Sequence, residues 1–106
     1  MSYKDLSGLL KVLSSPTRLE ILDILSCEEL CAYDLLAYFK FSQPTLSHHM
    51  KSLVDNHLVN TLKLGNKRMY ALNHKQLEQV TEALGLINTS SKPCICQNIG
   101  KGDCSS

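Results

Sequence analysis

A mainly α fold carrying a single β-hairpin is predicted for this chain of 106 residues by three observations. Leucines recur at the three-and-four spacing of buried helical stripes in the first half of the chain and again over residues 77–87. Two short strand-like runs flank Gly65-Asn66, a pair suited to a tight hairpin. The chain has no Trp, four Tyr and two Phe, so its core is aliphatic, which favours packed helices over a β-sandwich.

Each element has its own reason. Residues 3–13 place Leu6, Leu9, Leu10 and Leu13 on a helical stripe, with Lys4, Asp5 and Lys11 elsewhere on the wheel. Ser14-Ser15-Pro16-Thr17 then punctuates: Ser15 suits an N-cap and Pro16 the first helical position, where a missing N–H costs nothing. Leu19, Ile21, Leu22 and Leu25 supply the second helix. Residues 28–36 read as a turn entering a short third helix that runs to about Phe39. After the turn Lys40-Phe41-Ser42, Ser42 suits the cap of a helix opening Gln43-Pro44, and Phe41 with Leu46 fits a hydrophobic staple. Strands follow at 58–64 and 67–72, and Asn73 caps a last helix striped by Leu77, Val80, Thr81, Leu84 and Ile87. Beyond Asn88 there is no period, with three cysteines and frequent turn residues. The division expected is therefore a domain over 1–88 and a cysteine-containing tail over 89–106.

This order, short helices joined by a tight turn and then a basic hairpin, is that of a winged helix-turn-helix. The helix from Gln43 carries Leu46, His49, Met50 and Leu53 on one face. The opposite face, with Gln43, Thr45, Ser47, His48 and Lys51, has no acid and offers hydrogen-bonding groups suited to base edges and phosphates. His49, on the apolar side, is expected to be packed and hydrogen-bonded. The hairpin tip adds Lys63, Lys67 and Arg68 as phosphate contacts. Net charge tells the same story once divided: residues 40–75 hold six Lys/Arg and one acid, +5, and the remainder five bases and nine acids, −4. An asymmetric +1 of this kind marks a polyanion-facing surface. A chain this short is marginally stable alone, and its two terminal amphipathic helices suit a homodimer. Double-stranded operator DNA, an imperfect palindrome, is the partner expected of such a two-fold reader.

No signal peptide and no membrane span are expected, since charges interrupt every apolar run. Five cysteines, an odd number, point to a reducing cytoplasm rather than a disulfide framework. No phosphate-binding glycine loop accompanies them, which argues against a thiol enzyme such as an arsenate reductase.

Ser14-Ser15-Pro16-Thr17-Arg18-Leu19, Glu29-Leu30-Cys31, the run SQPTLSHHMKSL over residues 42–53, and Gly65-Asn66-Lys67 with Tyr70 resemble the ArsR/SmtB metal-sensing repressors. The similarity extends over nearly the whole chain and is greatest toward the arsenic-responsive members. It implies a repressor of an arsenical-resistance operon that needs no cofactor and leaves DNA when As(III) or Sb(III) binds cysteine thiolates. These soft, pyramidal ions want two or three thiolates. The family motif Glu-Leu-Cys-x-Cys-Asp-Leu stands here as Glu29-Leu30-Cys31-Ala32-Tyr33-Asp34-Leu35, so the second thiol is replaced by Tyr33. Cys27 lies four residues before Cys31, across the Glu28-Glu29 turn.

The tail supplies another set. Cys94-Ile95-Cys96 forms a Cys-x-Cys pair, and Gly100, Gly102 and Asp103 let the chain return Cys104 as a third thiolate. Cys94, Cys96 and Cys104 are accordingly the first-choice inducer site, and Cys31 the second. Three alternatives remain: Cd(II) or Pb(II) sensing through the same cysteines, Zn(II) sensing through His74, Glu78 and Glu82, and a thiol-based metal carrier. The carrier leaves the basic helix unexplained.

Overall fold

A computed structural model describes residues 1–89. Its elements are α1 (Tyr3–Val12), α2 (Pro16–Leu25), β1 (Leu30–Cys31), α3 (Ala32–Leu36), α4 (Gln43–Asp55), β2 (Val59–Leu64), β3 (Lys67–Leu72) and α5 (His74–Asn88). The expected winged helix-turn-helix is present, with α3 and α4 as the helix pair and β2–β3 as the wing.

Local chemistry sets most of the boundaries. Ser2 Oγ accepts from the Asp5 amide at 3.0 Å, opening α1. Ser15 Oγ accepts from the Arg18 amide at 3.4 Å, with Pro16 following it in the first turn of α2. Asn73 Oδ1 accepts from the Gln76 amide at 3.2 Å and opens α5. Each bond satisfies a helix-start amide that has no intrahelical partner. Helix α4 ends differently. His57 adopts a left-handed conformation (φ +61°), its amide donates to Val54 O at 3.0 Å, and the Leu58 amide donates to Leu53 O at 2.9 Å. That is a complete Schellman closure with His in the position glycine usually takes. At the wing, Gly65 supplies the positive φ (+62°) that the two-residue turn demands.

Three details differ from the sequence expectation. Residues Leu30 and Cys31 form a short strand, pairing antiparallel with β3 in the register Leu30↔Tyr70 and Cys31↔Met69, so the sheet has three strands in the order β1-β3-β2. Helix α3 stops at Leu36, not Phe39, and the connection to α4 spans residues 37–42, longer than the three-residue turn expected. Ser42 holds the N-cap position of α4 but lends its amides no side-chain bond; Ser42 Oγ pairs with Thr45 Oγ1 at 3.2 Å instead.

The core is aliphatic, as composition requires. Ile21, Leu35, Leu46, Met50, Leu53, Leu58 and Val59 are fully buried, drawn from α2, α3, α4 and the start of the wing. Phe41 packs against this cluster, half-buried just before α4. The ends of the chain are less complete. Leu6 and Leu9 of α1 and Val80 of α5 are buried, whereas Tyr3, Leu10, Leu84, Leu86 and Ile87 stay exposed on the same two helices. Among the described residues no helix is long and apolar enough to cross a membrane.

Candidate nucleic-acid interface

Burial of Leu46, Met50 and Leu53 fixes the rotation of α4 and leaves Gln43, Thr45, Ser47, His48 and Lys51 exposed on its outer side. All five residues predicted for this face are therefore on it. Gln43 Nε2 donates to Ser47 Oγ at 2.9 Å, so two of these side chains hold each other one turn apart. Lys51 has a partner that its sequence role did not anticipate: its Nζ lies 3.2 Å from Asp55 Oδ2, an exposed pair one turn apart. Such exposed pairs contribute a few tenths of a kcal/mol.

The wing brings the other cations alongside. Val59 pairs with Leu72, Thr61 with Tyr70 and Lys63 with Arg68, which puts all six on one face of the sheet by strand alternation. That face begins in the core at Val59 and Leu72 and continues outward toward α4. Ser47 and Lys51 of α4, and Thr61, Arg68 and Tyr70 of the wing, line one cleft of about 400 Å³. Lys67, opposite Leu64 beside the turn, lies on the other face. Lys63 and Arg68 stand directly opposite one another, a like-charge pair that disfavours the hairpin by itself.

His49 is packed, as expected from its side of the helix. Arg18 Nε donates to its Nδ1 at 3.2 Å, and its ring lies 6.0 Å from Phe41 and 5.9 Å from His48. Burial, the Arg18 guanidinium and then His48 hold its pKa below 6.5. Neither Arg18 nor Thr61 was singled out from sequence as part of this region. The one cation of α2, whose other charged residues are Glu20 and Asp23, was the available signal for the first.

Thiols are less well supplied in this part of the chain. Cys31 is buried at the start of α3, and its Sγ donates to Asp34 Oδ2 at 3.3 Å. Cys27 is exposed, and Tyr33, at the motif's second position, is 84% exposed. Among the described residues no three His, Cys, Asp or Glu side chains gather to hold a metal ion, so neither Cys31 nor the His74, Glu78 and Glu82 row is a complete site in one chain. Cys94, Cys96 and Cys104 lie outside the described residues.

Residues 15–61, from the cap of α2 through α4 into the wing, match the family model described as "Bacterial regulatory protein, arsR family". Over 104 residues, 98% of this chain and the whole of the relative, the sequence is 65% identical to an arsenical resistance operon repressor of Staphylococcus xylosus. The chain belongs to the ArsR family. A Staphylococcus aureus protein of the same description is 64% identical over 98% of this chain and all of its own length. Among solved structures, an ArsR-like transcriptional regulator from Rhodococcus sp. RHA1 matches with a TM-score of 0.74 at 27% identity, covering 81% of each chain. The helix-turn-helix and wing are thus those of an ArsR-family transcriptional regulator, and the acid-poor face of α4 belongs to its DNA-binding element.

Proposed function

We propose that this chain represses an arsenical-resistance operon as a homodimer and leaves its operator when As(III) or Sb(III) is captured by cysteine thiolates. The observation that carries the reading is a cleft shared by α4 and the wing and lined by Lys51 and Arg68, in a chain 65% identical to an arsenical resistance operon repressor. Gln43, Thr45, Ser47 and His48 read base edges in the major groove, while Lys51, Lys63, Lys67 and Arg68 contact phosphates. The protein is a regulator of the reducing cytoplasm, not an enzyme.

Dimerisation is supported by Tyr3 and Leu10 of α1 and Leu84, Leu86 and Ile87 of α5, exposed apolar side chains at the two ends of one chain. Two-fold pairing through α1 and α5 gives a reader with two α4 helices. A palindromic operator with half-sites about one helical turn apart follows.

Soft As(III) requires more thiolates than Cys31 offers. Cys31 is buried, is bonded to Asp34, and has Tyr33 where the motif places a second Cys. That supports Cys94, Cys96 and Cys104 as the inducer ligands, acting through the end of α5. Release requires the ion to favour the DNA-incompetent arrangement, and coupling of about 1–3 kcal/mol is typical of such linkage. The test is operator release by As(III) in a double variant carrying Cys94→Ser and Cys96→Ser, beside Cys31→Ser. Release is expected to vanish in the double variant and persist in Cys31→Ser; the reverse pattern moves the site to α3.

A further inference from the structure

Arg18 does more than cover His49. Its Nη1 donates to the carbonyl of Val12, the last residue of α1, at 3.2 Å, while its Nε donates to His49 Nδ1 at 3.2 Å. One rigid guanidinium therefore ties the end of α1 to the middle of α4, across thirty-one residues of sequence between Arg18 and His49. A guanidinium has no acceptor, so the bond exists only while His49 Nδ1 is bare and the ring is neutral with its proton on Nε2.

We propose that Arg18 and neutral His49 form a positioning pair that sets α4 against α1 for operator binding, and that protonation of His49 unlatches it. The proposal rests on α4 being the DNA-contacting helix. Neither residue need touch DNA; both act through the rotation and depth of α4, whose exposed face begins at the adjacent His48. Protonation places a hydrogen on Nδ1 facing the Arg18 N–H and adds a positive charge beside the guanidinium. The charged or titratable groups facing His49 are Arg18 from α2 and His48 from its own helix; Phe41, from the connection before α4, is neutral. Burial, then the Arg18 guanidinium and then His48 oppose charging of the ring.

His48 is exposed on the reading face beside His49. The informative quantity is therefore the ratio of affinities between the wild type and His49→Gln, in which His48, His57 and His74 are common to both. Gln keeps an acceptor for Arg18 and does not titrate; Leu removes the acceptor altogether.

The experiment measures fluorescence anisotropy of a labelled duplex taken from upstream of the chain's own gene, at constant ionic strength, with a scrambled duplex as control. At a pH of about 8, His49→Gln is expected to bind within roughly threefold of the wild type, and His49→Leu about tenfold or more weakly with an unchanged circular dichroism spectrum. As the pH is lowered stepwise from about 8 through the depressed pKa of His49, followed by the ring's own titration, the wild type is expected to weaken progressively relative to His49→Gln. A flat ratio, or wild-type affinity in His49→Leu, overturns the pair. Equal binding of both duplexes by the wild type instead overturns the DNA-binding reading. Nitrogen-15 spectra of the free full-length chain then decide the pair independently: the proton on Nε2 supports it, and the proton on Nδ1 at neutral pH refutes it.

Discussion

Replacing Lys67 and Arg68 by Ala removes two of the three wing cations, one on each face of the hairpin. Both are exposed, and Arg68 opposes Lys63, so the change relieves a like-charge pair and leaves the core untouched. Folding stability is expected to stay within about 0.5 kcal/mol of the wild type. The effect on DNA is calculable. A dimer loses four phosphate contacts, and each released counterion contributes about 0.9 to the slope of log affinity against log salt, so the slope flattens by about 3.6. Raising salt from about 50 to 200 mM then costs the wild type roughly a hundredfold more affinity than the variant. Anisotropy titrations of an operator duplex at four or more salt concentrations read this directly. An unchanged slope, with affinity lowered equally at every salt concentration, would refute the placement of the wing on the phosphate backbone.

Other expectations follow from the packing. Truncating fully buried Leu53 to Ala opens a cavity beneath the reading helix and is expected to cost about 3 kcal/mol, seen as a lower urea midpoint at unchanged m-value. His57→Gly should raise stability by about 0.5–1 kcal/mol, because glycine takes the left-handed position without a Cβ penalty; a loss of stability would contradict the Schellman assignment. Acid should destabilise the fold through His49. Its native pKa is lowered, so its contribution is complete above the unfolded value near 6.5 and is lost as pH falls through the native one. Melting temperature should consequently fall less in His49→Gln than in the wild type below that pH.

How much of this was legible in the sequence depended on how local the cause was. Ser15-Pro16, Asn73 and Gly65-Asn66 act within a turn of chain, and the structure uses each as its chemistry suggests. The face of α4 was equally readable, because Leu46, Met50 and Leu53 can be buried in only one rotation. Strand β1 was not, since two residues carry no period and their pairing is dictated by Tyr70 and Met69, almost forty residues later. The same holds for Arg18, whose meaning appears only when α2 meets α4. Lys51 with Asp55 is an instructive miss: the spacing was visible, but attention to the cation's role in binding DNA obscured its nearest neighbour. For the inducer site the sequence offered two sets of thiols and Tyr33 removed the simplest choice, a matter that residues 1–89 narrow by leaving Cys31 without a cluster.

The central claim is a DNA-bound state that thiol chemistry reverses. It is tested most directly by titrating the full-length chain onto a duplex from upstream of its own gene, beside a scrambled duplex, at about 150 mM salt, and then adding As(III). A preference for the native duplex of about a thousandfold, abolished by As(III) and restored by a competing dithiol, is the predicted result. Equal affinity for both duplexes, or a complex that As(III) leaves intact, would contradict it.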